Sequence, residues 1–243
     1  MKLKQNIPNL LTCGNLLCGC LAIVNVFEGN LNWAAYLVGI AAVLDFLDGF
    51  AARLLNVSSP IGKDLDSLAD MVTFGVVPGV IMYKLIFLIY LNANISVSFE
   101  LIEKKLYLCY IAFLIPIFSA IRLAKFNNDT RQSESFIGLP TPANAIFVAS
   151  LVLLPQEYSG RFTPNILCLL SITLSLLLVA PIPLFALKFK SFGFKGNEIR
   201  YVFLGLSLGL LVGLQFLGIP LIIVLYIILS LINNLLNRKK AIS

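Results

Sequence analysis

Long apolar stretches separated by short polar segments follow one another along most of the chain. Eight of them come near the ~20 residues an α-helix needs to cross ~30 Å of hydrocarbon. They run roughly over 12–27, 31–55, 66–91, 106–126, 142–155, 164–187, 199–217 and 219–237. The first and fifth are short, so tilting or partial interfacial placement is expected there. The predicted fold is all-α, a polytopic helical membrane protein with about eight transmembrane helices. No internal repeat and no linker long enough to separate two domains interrupts the pattern, so 1–243 reads as one domain.

Composition agrees with this reading. Of 243 residues, 59% are hydrophobic and only 12% charged, too few charges to cover the surface of a soluble globule, and mean hydropathy is +0.93. Lys2 and Lys4 ahead of an apolar run imitate a signal peptide, but Asn6, Pro8, Asn9, Thr12 and Asn15 interrupt the run, which is read as mature protein. Placing both termini in the cytoplasm puts there Lys2, Lys4, Arg53, Lys63, Arg122, Lys125, Arg131, Lys188, Lys190, Lys195, Arg200, Arg238, Lys239 and Lys240, fourteen of the 18 basic residues. The opposite loops hold Lys104, Lys105 and Arg161, and the positive-inside rule selects that orientation. Spread over several short loops, the net charge of +6 suits anionic membrane lipids and anionic substrates and calls for no nucleic acid.

The chain has no histidine, which removes His-based acid–base catalysis, a Ser-His-Asp triad and His-ligated zinc. Its five cysteines form no C-x-x-C pair and receive no role. Carboxylates remain, and they cluster: Asp45, Asp48, Asp64, Asp66 and Asp70 fall within 26 residues out of twelve acids in all. A carboxylate inside a membrane span costs about 2.5 kcal/mol or more unless partnered or facing water, so the cluster argues for function. On helices, Asp45 and Asp48 (i, i+3) share one face, and Asp66 and Asp70 (i, i+4) share another. The connection over 56–62 is short, so the two helices are expected to run antiparallel with their acidic faces meeting. Four such charges cannot all stay ionised in a low-dielectric site without cations. Oxygen ligands alone suit Mg²⁺ or Mn²⁺, and four carboxylates suffice to bridge two ions. Gly49 and Ala52 leave room for a flat group beside the helix, Arg53 offers a fork of donors to phosphate, Gly62 lets the turn approach an anion, and Ser59 has a hydroxyl to donate. The set describes a diphosphate lying across two metals.

These residues spell Asp45-x-x-Asp48-Gly49-x-x-Ala52-Arg53, eight residues, Gly62, three residues, Asp66, three residues, Asp70. The pattern resembles the CDP-alcohol phosphatidyltransferase signature at all eight fixed positions. The resemblance implies an enzyme that moves a phosphatidyl group from a CDP-linked lipid to an alcohol and releases CMP. It implies metal ligands at Asp45, Asp48, Asp66 and Asp70, with Asp70 also the base, and a CDP-diacylglycerol site at Asn9, Thr12, Gly49, Arg53, Ser59 and Gly62. Further segments, Ile7 to Thr12 with Gly14-Asn15, Ser119 to Asn127, and Phe136 to Ala143, are similar to those of the membrane-type phosphatidylserine synthases, although the second carries Lys125 where Arg is common. That similarity implies L-serine as acceptor, with Arg122 pairing its carboxylate and Asn127 orienting its amine. The catalytic core is expected over about 1–187 with additional helices over about 199–237, the site is expected near the cytoplasmic face of the cell membrane, where the basic loops and the aspartates fall, and a homodimer is an admissible assembly. A phosphatidyl-histidine intermediate is excluded by composition, so direct displacement is expected.

Other readings remain beside this one. Glycerol 3-phosphate or inositol as acceptor keeps the family. An intramembrane prenyltransferase calls for acidic motifs on two distant helix pairs, and a cation-coupled transporter calls for pseudo-symmetric halves with broken helices. Gly75 and Gly79 are read as small residues for helix packing.

Overall fold

A helical hairpin opens the chain: α1 (Lys2–Phe27) and α2 (Leu31–Leu54) pack along their length. Gly29 adopts φ +84° in the turn between them, a conformation open to glycine at little steric cost. Ala34, Val38 and Ala41 of α2 recur at helical spacing and are buried, so small side chains set the close approach. The computed structural model describes residues 2–57, 59–93, 106–128, 135–185, 187, 193–194 and 196–242. Lys104, Lys105, Arg131, Lys188, Lys190 and Lys195, named above in loops, lie outside the described residues.

The third span starts earlier than hydropathy predicted. Ser59 caps α3 (Pro60–Asp70) by accepting the Gly62 N–H at 3.0 Å, and Pro60 occupies the first turn, where its missing N–H costs nothing. The helix continues through a π-helical turn over Met71–Val76 into α4 (Val77–Ala93). This long helix is the axis of the molecule: half of its apolar window is buried, against 28% for α1 and for α2, and Phe74, Val77, Ile81, Met82 and Ile86 are fully buried. A 3₁₀ segment (Tyr107–Phe113) leads into α5 (Leu114–Asn128). A Cβ on Gly79 would stand 2.7 Å from the Pro116 ring, and one on Gly75 would stand 3.2 Å from Ser119, so both glycines serve helix packing as the sequence suggested.

After β1 (Ser135–Ile137) come α6 (Thr141–Val152), the single turn α7 (Gln156–Ser159) and α8 (Pro164–Val179), capped by Thr163. The predicted span 164–187 stops at Val179, because Pro181 and Pro183 take the chain into extended backbone and β2 (Pro183–Phe185). β2 pairs antiparallel with β1, Phe136 opposite Leu184, a small ribbon that the all-helical expectation did not contain. The chain closes with a hairpin of α9 (Glu198–Leu214) and α10 (Gly218–Ile242), reversed at Gln215 (φ +49°) and Gly218.

Among the described residues, five helical stretches are long and apolar enough to cross a membrane, the last running through both α9 and α10. α6 and α8 are shorter apolar helices, at 12 and 16 residues. Large apolar side chains point outward, including Leu10 (74% exposed), Phe27 (74%) and Val212 (77%), as lipid contact requires. The protein is a polytopic helical integral membrane protein.

Candidate active site

Three helices converge at the end of the molecule where α2 stops and α3 starts. From α2 come Asp45 and Asp48, and from α3 come Asp66 and Asp70; the acidic faces meet as the spacing required. One carboxylate oxygen each of Asp45, Asp48 and Asp66 lies within 4.8 Å of the others, and Asp70, one turn beyond Asp66, contacts Asp45 through its side chain. An all-oxygen set this tight fits a hard divalent cation. Asp48 is only 7% exposed, so attraction to a cation or a hydrogen bond must compensate its lost hydration.

α1 supplies the hydrogen bonds. Thr12 Oγ1 stands 2.6 Å from Asp48 Oδ2 and 3.1 Å from the Pro8 carbonyl; with one proton to give, the hydroxyl makes the stronger bond to the carboxylate. Asn15 Nδ2 donates to Asp70 Oδ1 at 3.3 Å, and Thr73 Oγ1 in the π turn donates to the Asn15 carbonyl at 3.1 Å. Gly19 permits this contact between α1 and the π turn, because a Cβ there would collide with the Thr73 hydroxyl. α1 is therefore the scaffold that orients two of the four aspartates. The sequence reading placed Thr12 against the nucleotide lipid and quoted Asn15 only within a segment.

Beside the carboxylates opens a cleft of about 260 Å³ whose lining includes Asn9, Thr12, Asp48, Gly49, Ser59, Gly62, Lys63 and Asp66. Nothing lies within 4 Å of where a Gly49 Cβ would be, so the missing side chain leaves free space against the cleft. At Gly62 a Cβ would press on Asn9 Oδ1 and Ser59 Oγ, each 3.0 Å away, so glycine there preserves the helix cap. Ser59 spends a lone pair on that cap; its hydroxyl proton is a separate resource for an anion. Arg53 is exposed at the end of α2 and is not among the cleft residues, whereas Lys63 is. Lys63 Nζ donates to the Asn127 backbone carbonyl at 3.1 Å.

Arg122 of α5 is 7% exposed, donates from Nη1 to Thr141 Oγ1 at 3.4 Å, and interacts electrostatically with Asp70. Asn127 is elsewhere: five residues on, it faces about 140° away around the helix, and its amide donates to Ser67 Oγ at 2.8 Å, tying α5 to α3. Among the described residues, Arg122 Nε, Ser119 Oγ and both amide atoms of Asn144 are buried without a hydrogen-bond partner. Ser119 and Arg122 lie three apart on α5, and Thr141 and Asn144 three apart on α6, so the two polar faces meet through the Arg122–Thr141 bond. Buried polar groups left in this state call for water or a ligand. Asn144 was not singled out from sequence; a polar residue within a predicted span was the signal available.

Fold and site together define an integral membrane protein with an oxygen-only, cation-competent centre built between helices and opening on a cleft. Residues 5–182 match the CDP-alcohol phosphatidyltransferase family, and the chain belongs to that family. The family is generally metal-dependent, and the aspartate set is suited to such an ion. Among similar proteins are the CDP-diacylglycerol–serine O-phosphatidyltransferases of Helicobacter pylori strain J99 (39% identical over 153 residues, 62% of this chain) and Bacillus subtilis strain 168 (35% over 176 residues, 72% of this chain). The archaetidylserine synthase of Methanothermobacter thermautotrophicus is 30% identical over 179 residues, 72% of this chain and 68% of its own. The matched stretch spans 59% of the Helicobacter relative and 88% of the Bacillus one.

Proposed function

We propose that the protein transfers the phosphatidyl group of CDP-diacylglycerol to the hydroxyl of L-serine, yielding phosphatidylserine and CMP. The observation that carries this reading is the meeting of Asp45, Asp48, Asp66 and Asp70 beside a cleft bordered by Gly49, Ser59 and Gly62, with a buried arginine across from Asp70. The names of the similar proteins favour serine over glycerol 3-phosphate or inositol.

Asp45, Asp48, Asp66 and Asp70 would hold two divalent ions, Mg²⁺ or Mn²⁺. When bound, such ions offset the charge of the diphosphate and of the departing CMP. Asn9, Gly49 and Gly62 shape the cleft for the nucleotide and its diphosphate, Ser59 donates to an oxygen of it, and Arg53 approaches from the rim. Thr12 holds Asp48 in place. The serine oxygen bonds to the β-phosphorus as the bond from that phosphorus to the bridging oxygen of CMP breaks, and Asp70 takes the hydroxyl proton, then passes it to water. Arg122 pairs with the serine carboxylate, where a charge-assisted, bidentate contact satisfies a guanidinium otherwise short of partners. For Asn127 to orient the amine, its bond to Ser67 would have to open.

In the same proposal the chain is one domain, with its catalytic core over about 1–187. It lies in the cell membrane with both termini and the site at the cytoplasmic face, where the lipid stays in the bilayer while serine and CMP exchange with water. A homodimer is compatible with this reading, and the mass of the detergent-solubilised protein reads the assembly directly. The deciding experiment supplies purified protein with CDP-diacylglycerol, Mn²⁺ or Mg²⁺, and each acceptor in turn. CMP release with L-serine alone is expected; release with glycerol 3-phosphate or inositol overturns the acceptor, and metal-independent release overturns the role of the aspartates.

A further inference from the structure

The family match ends at residue 182, yet α10 reaches back to the buried arginine. Tyr226 is 8% exposed and its hydroxyl donates to the Phe185 carbonyl of β2 at 2.8 Å. Its ring packs edge-on against Phe185, centroids 5.0 Å apart, and 5.7 Å from Phe203 of α9. Asn234, two turns further along α10, donates to the Pro183 carbonyl at 2.6 Å. The hairpin therefore holds β2 at two points.

From β2 the connection runs on to the site. β1 pairs with β2, Gly138 N–H donates to the Ile182 carbonyl at 3.0 Å, and Leu139 N–H to the Leu177 carbonyl at 2.9 Å. Gly138 has φ +77°, and a Cβ there would strike the Leu178 carbonyl, so this approach demands glycine. Two residues beyond Leu139 stands Thr141, the hydroxyl that Arg122 uses. The Tyr226 phenol also lies within electrostatic range of the Arg122 guanidinium, without a hydrogen bond between them among the described residues. With its proton committed to Phe185, the phenol oxygen has only lone pairs to turn toward a cation.

We propose that Tyr226 is a positioning residue for Arg122, and that the α9–α10 hairpin serves the reaction by bracing the end of the site that receives the acceptor's anionic group. This rests on the reading of Arg122 as the acceptor's partner. Arginine is long and rotamer-rich; a phenol fixed on a packed helix, together with a clamped Thr141, limits where its fork can point.

The test uses the full chain in CDP-diacylglycerol mixed micelles with Mn²⁺, comparing wild type, Tyr226→Phe, Arg122→Lys and the double variant. Tyr226→Phe keeps the ring and removes the oxygen. It is expected to raise the acceptor KM about fivefold, the usual scale for losing one neutral hydrogen bond, here the bond to Phe185 that holds β2. The KM for CDP-diacylglycerol and kcat should stay within twofold of wild type, the melting temperature should fall by no more than a few degrees for the lost Phe185 bond, and the double variant should add less than threefold to Arg122→Lys. An unchanged acceptor KM, a rise in both KM values with a falling melting temperature, or effects that simply multiply would each overturn the proposal. Should Tyr226→Phe accumulate poorly, Asn234→Leu removes the second tie alone: a smaller, acceptor-selective rise supports the brace and none refutes it. If the wild-type protein uses glycerol 3-phosphate instead of L-serine, the acceptor assignment fails, and the same ratios read with that anionic acceptor still decide the role of Tyr226.

Discussion

Thr12→Val isolates what one buried hydroxyl does for the metal site. Valine copies the shape of threonine, so no cavity forms, but the 2.6 Å bond to Asp48 Oδ2 is lost. Thr12 is 4% exposed and Asp48 7%, which leaves little access for a water to replace the donor. A hydrogen bond to a charged group contributes about 1.5–3 kcal/mol, and every 1.4 kcal/mol is a factor of ten. Freed to rotate, the Asp48 carboxylate must be re-ordered each time an ion binds, so the apparent affinity for Mn²⁺ should fall roughly 10- to 100-fold, the range expected when a partner that orients a ligand is removed. Two readouts are needed: free Mn²⁺ by electron paramagnetic resonance during titration of the protein, and the Mn²⁺ dependence of turnover. Thr12→Ser, which keeps a hydroxyl, should recover most of the loss. Equal Mn²⁺ affinity in Thr12→Val and wild type, within twofold, would refute the claim that α1 orients the aspartates.

Three other outcomes follow from the geometry. Gly49→Ala should stabilise α2 by up to ~1 kcal/mol, because alanine is the better helix former and no atom opposes its Cβ, yet weaken CDP-diacylglycerol binding by filling the cleft; a melting curve and a KM together check it. Asp70→Asn should abolish turnover while CDP-lipid binding persists, read by equilibrium binding of a radiolabelled lipid; near-normal turnover removes Asp70 from the base role. Gly79→Val should cost ~1–3 kcal/mol by forcing α4 away from Pro116, lowering the melting temperature with all kinetic constants affected together.

Hydropathy alone located the helices because the bilayer imposes a length, and the aspartate spacing placed the acidic faces because helix periodicity is local. Both are short-range properties, readable from neighbours in sequence. The boundaries that moved did so for chemistry that hydropathy does not weigh: Ser59 and Pro60 start α3 within a segment read as a connection, and Pro181 and Pro183 end α8 within a segment read as a span. What stayed hidden depends on contacts between distant segments. Thr12 and Asn15 lie 36 and 55 residues from the aspartates they touch. The unpartnered Asn144 is conspicuous only once α6 is packed. The assignment of Asn127 beside Arg122 was open to doubt from sequence itself, since a five-residue separation does not share a helix face.

The π turn at Met71–Val76 carries a consequence for how the chain tolerates length changes. One surplus residue there rotates everything downstream by about 100° relative to the upstream carboxylates. Wound as a regular α-helix, the same residues would set Gly75 and Gly79 against the wrong neighbours or swing Asp66 and Asp70 off α2, whereas removing one residue together with the wide turn would leave the two halves facing as they do. Chemistry and assembly thus sit on two halves of one rod, indexed to each other by an irregularity that a regular helix of the same residues would erase.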